Sequence, residues 1–243
     1  MGMELNGKVA LVTGGGVRLG RAFVEALAKK GASVAIHYQR SEAQARETLE
    51  RVEARGGRGA LVQADLAYPA EAGLLLEGVG KVLGPVDVLV NSAAIFEAGG
   101  LLETGDEAWD RHHRINLKAP FILSRAFGNQ KRPGKIVNLV DWRALRPGAD
   151  HFAYTISKAG LAALTRSLAV ALAPAVQVNA LALGAILPAA GATEADLERI
   201  IAPVPAGRWG TAEETAQALV FLLEGPDYIT GEIIHVDGGR HLV

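Results

Sequence analysis

Short unbroken apolar runs alternate with longer amphipathic stretches along this chain, and that alternation limits the possible folds most. Lys8 to Thr13, Ser33 to Tyr38, Ala60 to Ala64, Val86 to Val90, Lys135 to Val140, Val176 to Ala180 and Ile233 to Val236 each read as a strand. Runs such as Val86 to Val90 do not alternate between apolar and polar residues, so they suit strands covered on both faces. Between the strands, Leu19 to Lys30, Gln39 to Arg55, Glu71 to Leu83, Trp109 to Phe127 and Tyr154 to Leu172 carry helical patterns. Gly56-Gly57 and Gly84-Pro85 close two of these helices.

Strands and helices alternating at these lengths form βαβ units. The expected fold is therefore α/β: a Rossmann-like, doubly wound, mostly parallel sheet of seven strands with helices on both faces. The 243 residues suit one core, so residues 1–243 are read as a single domain. Gly184 to Arg208 breaks the pattern, being rich in Ala, Pro and Gly with one short helical piece around Glu194 to Ile201. Loops at strand ends carry specificity, and 184–208 is expected to be a substrate loop.

Composition narrows the function classes. Hydrophobic residues make up 49% and charged residues 21%, as in a folded globular protein. The formal net charge of -1 comes without a basic cluster, which argues against a nucleic-acid partner. With no cysteine, disulfides and thiol nucleophiles are excluded, and a reducing cytoplasm fits. The apolar stretch from Leu161 to Leu187 is interrupted by Arg166, Pro174, Gln177 and Asn179, so it reads as helix and strand and no membrane span is expected. The six histidines show no metal-ligand motif, and no metal is expected.

Thr13-Gly14-Gly15-Gly16-Val17-Arg18-Leu19-Gly20 links the first strand to the first helix. Glycines there let the backbone approach a phosphate, and the helix N-terminus stabilises its charge. Asn91-Ser92-Ala93-Ala94 follows the fourth strand, beside the crevice where a dinucleotide lies. The second strand ends in His37-Tyr38-Gln39-Arg40-Ser41, with no carboxylate before Glu42 to accept from ribose hydroxyls. Arg40 and Ser41 instead suit a 2′-phosphate, which points to NADPH over NADH. Arg18 is a further candidate for a phosphate or for the substrate. Asp65, at the end of the third strand, is placed either to touch an adenine or to cap the next helix.

Tyr154 and Lys158 are four residues apart and share a helix face, which puts a phenol beside an ammonium. Asp141 lies thirteen residues before the tyrosine. Trp142 is a candidate pocket wall, and Asn138 is expected to brace neighbouring strand ends through its amide. Asp237-Gly238-Gly239 closes the last strand with a turn.

The glycine turn, Asn91, Asn116, Tyr154, Lys158 and the closing Val236-Asp237-Gly238-Gly239 stand in the order and spacing of the short-chain dehydrogenases/reductases, which the chain resembles over its full length. The resemblance implies that Tyr154 donates a proton, that Lys158 binds the nicotinamide ribose and lowers the tyrosine pKa, and that Asn116 supports a water chain to the lysine. It also implies a homotetramer, with the 109–127 and 154–172 helices at interfaces. Together with the motifs above it gives a cofactor-binding set: Gly14, Arg18, Leu19 and Gly20 in the turn; His37, Tyr38, Arg40 and Ser41; Asp65 and Leu66; Asn91, Ser92 and Ala93; and Lys158, Gly184 and Ile186.

Three positions depart from the usual family pattern. Arg18 replaces the middle glycine of the turn, Asp141 replaces the catalytic serine, and Leu183-Gly184 stands for Pro-Gly. The first two changes resemble the pteridine reductases, as do residues 37–41 and Asn138-Leu139-Val140-Asp141. Phe96 matches a pterin-stacking phenylalanine of that subgroup. Gly207-Arg208-Trp209-Gly210 resembles the dihydromonapterin reductases. The implied substrate set is Arg18, Phe96, Asp141, Trp142 and Tyr154, and the implied catalytic set is Asp141, Tyr154, Lys158 and Asn116.

The chemistry agrees with this resemblance. An ionised Asp141 would repel the developing alkoxide of a ketone, whereas it can accept hydrogen bonds from a pterin or help deliver a proton. The expected activity is NADPH-dependent reduction of a dihydropterin-type substrate (dihydrobiopterin, dihydromonapterin or dihydrofolate). A carbonyl or 3-oxoacyl-thioester reductase is the alternative, and a non-catalytic NADPH sensor a further one.

Overall fold

The structure, a computed structural model, describes residues 2–188 and 191–243; Ala189 and Ala190, inside the expected substrate loop, lie outside the described residues. Seven strands form one sheet: β1 (Val9–Val12), β2 (Ser33–Tyr38), β3 (Gly59–Gln63), β4 (Val88–Asn91), β5 (Gly134–Asp141), β6 (Val176–Leu183) and β7 (Ile233–Val236). Their order is β3-β2-β1-β4-β5-β6-β7. Every pairing is parallel, so the sheet is wholly and not just mostly parallel. Chain order reverses between β1 and β4, which places a crevice at their carboxyl ends.

The apolar runs are unbroken because each strand feeds two cores. Ala10, Val12, Val34, Ile36, Val88 and Val90 face one layer, with α1 (Arg18–Lys29), α2 (Glu42–Glu53) and α8 (Ala212–Glu224). Val9, Leu11, Ala35, Leu89 and Ile136 face the other, with α3 (Pro69–Val82), α5 (Ala119–Gly128) and α6 (Phe152–Ala171). Successive side chains point to opposite faces, so both parities must be apolar. On α1 the buried stripe is Phe23, Val24 and Leu27, spaced for one helix face.

Two expectations change. The helix expected over 109–127 is not continuous: α4 (Asp106–His113) passes through a π-helical turn at Arg114–Lys118 before α5 begins. Pro120, in the first turn of α5, has no N–H to continue a regular ladder, and the wider turn accommodates it. The second change is α8, which the strand-and-helix reading above lacks. Its start is written in Thr211-x-x-Glu214, a reciprocal capping box in which Thr211 accepts from the Glu214 backbone and Glu214 accepts from the Thr211 backbone. Arg208 pairs bidentately with Glu214 at 2.6 and 3.0 Å, so the Gly207–Gly210 stretch fixes the entrance to this helix. The segment 184–208 contains α7 (Glu194–Ile201), and Gly210 N–H donates to the Ala185 carbonyl across its base.

Among the described residues no helix is long and apolar enough to cross a membrane, and no three His, Asp or Glu side chains assemble as metal ligands. Thr211→Ala should cost about 1 kcal/mol, read as a drop of about 2–4 °C in melting temperature. No change in melting temperature would mean that the box does not secure α8.

Candidate active site

The crevice is built from side chains that knit the strand ends together. Thr13 Oγ1 accepts from the Ser92 and Ala93 backbones at 2.9 and 3.0 Å, drawing the segment after β4 against the glycine turn. Gly14, at φ +66°, needs the left-handed region, and a Cβ on Gly20 would lie 2.0 Å from the Gly14 carbonyl. Helix α1 therefore enters directly beneath the turn. Its N-terminus has no side-chain cap and no acidic residue in its first turn, which leaves orphan N–H groups and the positive end of the dipole open to an anion.

His37 serves the turn and has no ring nitrogen to spare. Gly14 N–H donates to Nδ1 at 3.0 Å, so Nδ1 is the acceptor and the proton sits on Nε2, 3.1 Å from the Ala64 carbonyl. Burial lowers its pKa to about 4. Tyr38 and Leu66 are buried, in the cores on opposite faces of the sheet. Arg40 is exposed and forms no ion pair among the described residues. Ser41 stands at the N-cap of α2 with its hydroxyl free of any capping bond. Asp65 does not cap α3, whose N-cap is Tyr68; its carboxylate accepts from Ala67 N–H at 2.9 Å in a local turn.

Arg18 is exposed and held at φ 50°, and its guanidinium donates to the Leu187 and Pro188 carbonyls at 3.1 and 3.0 Å. It ties the glycine turn to the segment after β6. Leu19 is half-buried behind it. Gly184 presses on Asp237, where a Cβ would lie 2.6 Å from the Asp237 Cα, and Ile186 is buried next to Gly210.

Beyond β4 and β5 lies a buried polar chain. Register pairs Asn91 with Asn138; Asn91 donates to Asn138 at 2.8 Å, and Asn138 donates to Thr165 on α6 at 2.9 Å. Asn138 thus braces the strand ends. Asn91 Oδ1 is left buried without a partner among the described residues. Asn116, in the π-helical turn, clamps Ile95 by accepting from its N–H and donating to its carbonyl, and also donates to Ser157. Its amide is thus fully engaged in holding the segment that carries Phe96.

Tyr154 and Lys158 share a face of α6, as their spacing predicts, and Asp141 at the end of β5 meets the tyrosine. Tyr154 Oη donates to Asp141 Oδ2 at 3.1 Å, and Asp141 Oδ1 accepts from Arg143 N–H at 2.9 Å. Lys158 Nζ donates to the Leu139 carbonyl at 2.6 Å and lies 5.9 Å from the Tyr154 ring centre. Among the described residues one ammonium proton is engaged in this way, and two remain for hydroxyl groups of a ligand. Burial lowers the Lys158 pKa to about 8. Burial raises the Asp141 carboxyl, and burial together with the Asp141 charge raises the Tyr154 phenol well above its ordinary value. This differs from the lysine-lowered phenol expected above: the aspartate stands against the hydroxyl while the ammonium is turned to a main-chain carbonyl.

Phe96 stands edge-on to Tyr154 at 4.6 Å, stacks on His151 at 4.1 Å and remains 54% exposed, and Trp142 is half-buried beside Asp141. The sequence reading missed Arg143, His151, Ser157 and Thr165, which all touch these side chains. Only the i,i+3 and i,i+4 placement of Ser157 and Lys158 behind Tyr154 hinted at any of them.

A dinucleotide-type parallel sheet with an Asp-Tyr-Lys cluster at its carboxyl ends defines an α/β class. The family model described as enoyl-(acyl carrier protein) reductase matches residues 16–241. The chain is 36% identical over 248 residues to the 3-oxoacyl-(acyl-carrier-protein) reductase FabG of Salmonella typhimurium, covering 99% of this chain and 100% of that relative. It is 34% identical over 254 residues to an uncharacterized oxidoreductase of Thermotoga maritima, covering 99% and 100%. The crystal structure of FolM alternative dihydrofolate reductase 1 from Brucella canis, complexed with NADP, matches with a TM-score of 0.93 at 35% identity, covering 99% of this chain and 96% of that one. The chain belongs to this family of short-chain dehydrogenases/reductases.

His37 gives a pH prediction. Its folded pKa of about 4 lies below the ordinary 6.5. Its contribution to stability is therefore complete above pH 6.5 and is lost as pH falls through about 4, to a total of about 3 kcal/mol. His37→Asn keeps an acceptor for Gly14 N–H and should flatten the urea-unfolding stability profile over that window. A profile as steep as the parent's would exclude His37 as its source.

Proposed function

We propose that this protein is an NADPH-dependent reductase of dihydropterin-type substrates. The observation that carries the reading is the Tyr154–Asp141 hydrogen bond: an acidic residue stands where the substrate oxygen of a ketone reductase would need a donor. Phe96, half exposed and edge-on to Tyr154, offers an aromatic surface to a flat heterocycle beside that pair.

The residues suit the cofactor. The uncapped N-terminus of α1 takes a pyrophosphate, Arg40 and the free Ser41 hydroxyl take a 2′-phosphate, and Lys158 takes the nicotinamide ribose through its remaining protons. The FolM structure from Brucella canis complexed with NADP supports this choice. Bound NADPH supplies the hydride. Tyr154, whose phenol stays protonated, rests with its one O–H on Asp141 and would deliver that proton by turning the O–H from the carboxylate to the ring nitrogen.

The second reading is reduction of a 3-oxoacyl thioester, favoured by the FabG relatives. Identity does not separate the two, because it is 36% to FabG and 35% to FolM. NADPH oxidation should be measured with dihydrobiopterin, dihydromonapterin and dihydrofolate against a quinone and a β-ketoacyl thioester. Preference for a pterin is expected; turnover of the carbonyl compounds alone would sink the reading. A non-catalytic NADPH sensor would bind cofactor and turn over nothing in this panel. The cytoplasmic location and homotetramer implied by the family belong to the same proposal, and sedimentation as a monomer would reject the tetramer.

Two substitutions test the roles. Arg40→Ala should raise the KM for NADPH about ten-fold or more through loss of charge-assisted bonds and leave that for NADH nearly unchanged; equal effects would refute the phosphate role. Tyr154→Phe should lower kcat by about a hundred-fold or more while NADPH still binds.

A further inference from the structure

A ring of contacts runs from Tyr154 through Asp141 and back to the tyrosine by way of Phe96, and Arg143 is its unexplained member. Tyr154 donates to Asp141, whose other oxygen accepts from Arg143 N–H. The Arg143 guanidinium pairs with Asp150 at 3.1 Å, and the same Asp150 oxygen lies 2.9 Å from His151 Nδ1. His151 stacks on Phe96, and Phe96 returns to Tyr154. The guanidinium also lies 5.9 Å from the Phe96 ring centre and 4.8 Å from that of Trp142, and Trp142 in turn has the Arg240 guanidinium at 4.5 Å. Its Nε is buried without a hydrogen-bond partner among the described residues. A planar, permanently charged group fits a place between two aromatic rings and a carboxylate; a lysine would reproduce the charge and lose the stacking.

We propose that Arg143 is a positioning residue of the active site: its main chain orients the Asp141 carboxylate, and its guanidinium sets the charge balance of the Asp141–Tyr154 pair. This rests on reading that pair as the proton source. The charged and titratable groups around the pair are Tyr154 and Lys158 from α6, Asp150 and His151 from the loop before it, Arg143 from the turn after β5, and Arg240 from the C-terminal turn by way of Trp142. Lys158 is turned to a main-chain carbonyl, and Arg240 lies over Trp142 and donates to the Val243 carbonyl. The Arg143 guanidinium, held over the Phe96 and Trp142 rings that flank the pair, is the cation placed to oppose the rise that burial imposes on the carboxyl and on the phenol. Asp150 tempers it by sharing its charge.

The test is a carboxyl titration of the substrate-free protein carrying 13C-labelled aspartate, with Asp141→Asn identifying the resonance. Removing the cation in Arg143→Gln lets Asp141 keep its proton to higher pH, and the midpoint should rise by about one pH unit. Arg143→Lys should keep the midpoint near that of the parent while raising the KM for the substrate. An unmoved midpoint in Arg143→Gln, or an equal shift in both variants, would overturn the proposal. Should Arg143→Gln not fold, Asp150→Asn removes the competing carboxylate and should lower the midpoint; an unchanged or raised one overturns the proposal. No step of this titration needs a pterin. The expected shifts alongside a lack of pterin turnover would reject the substrate reading and uphold the role of Arg143.

Discussion

The cleft depends on the parallel register between β4 and β5. That register sets Asn91 beside Asn138, and the amide-to-amide bond between them continues to Thr165 on α6. One chain of buried hydrogen bonds therefore joins the strand expected to face the cofactor to the helix bearing Tyr154 and Lys158. Lys158 closes the connection by donating to Leu139, one residue beyond Asn138. A slip of one residue would turn Asn138 and Asp141 to the wrong faces together, and a half-made buried network costs more than an apolar one. The geometry of the reactive pair is thus set by strand pairing before any loop contributes.

That pair differs electrostatically from a phenol activated by an adjacent ammonium. Two acids share one hydrogen bond in a poorly solvated place, and burial favours the neutral form of both. Such a unit is suited to hold a proton and release it to a basic ring nitrogen. It is less suited to stabilise an oxyanion, a task that calls for fixed donors.

Much of this was legible in the sequence because period and position carry it. The seven apolar runs became seven strands, since a doubly covered strand leaves an unbroken apolar signature. The four-residue spacing of Tyr154 and Lys158 fixed a helix face, and the Asp141 hydrogen bond followed once β5 and α6 were adjacent. What escaped depends on tertiary contact or on local signals too short to stand out beside the apolar runs. The π-helical turn around Asn116 follows from Pro120 inside an otherwise helical pattern. Helix α8 is announced by the capping signal Thr211-x-x-Glu214 and by an apolar stripe at Ala216, Leu219, Leu222 and Leu223, both of which the strand-and-helix reading left out. His37 looked like part of a phosphate segment, yet its ring is occupied by Gly14 and Ala64, a use that no pattern of neighbours reveals. Arg143 was invisible because its place depends on a tertiary contact with Phe96, nearly fifty residues upstream, and on a loop that folds Asp150 back onto it.

Arg18 brings a consequence for how this chain can evolve. It occupies a left-handed backbone conformation that a glycine would adopt freely, at a cost of about 1–2 kcal/mol for a residue with a side chain. Its guanidinium reaches across the cleft mouth in return. A random change to glycine would therefore be welcomed by the fold and resisted by whatever the arginine does at the mouth. The position stands on a stability–function trade-off: selection for thermal robustness alone would erode it, and its persistence in a lineage would measure how strongly the lineage relies on that contact.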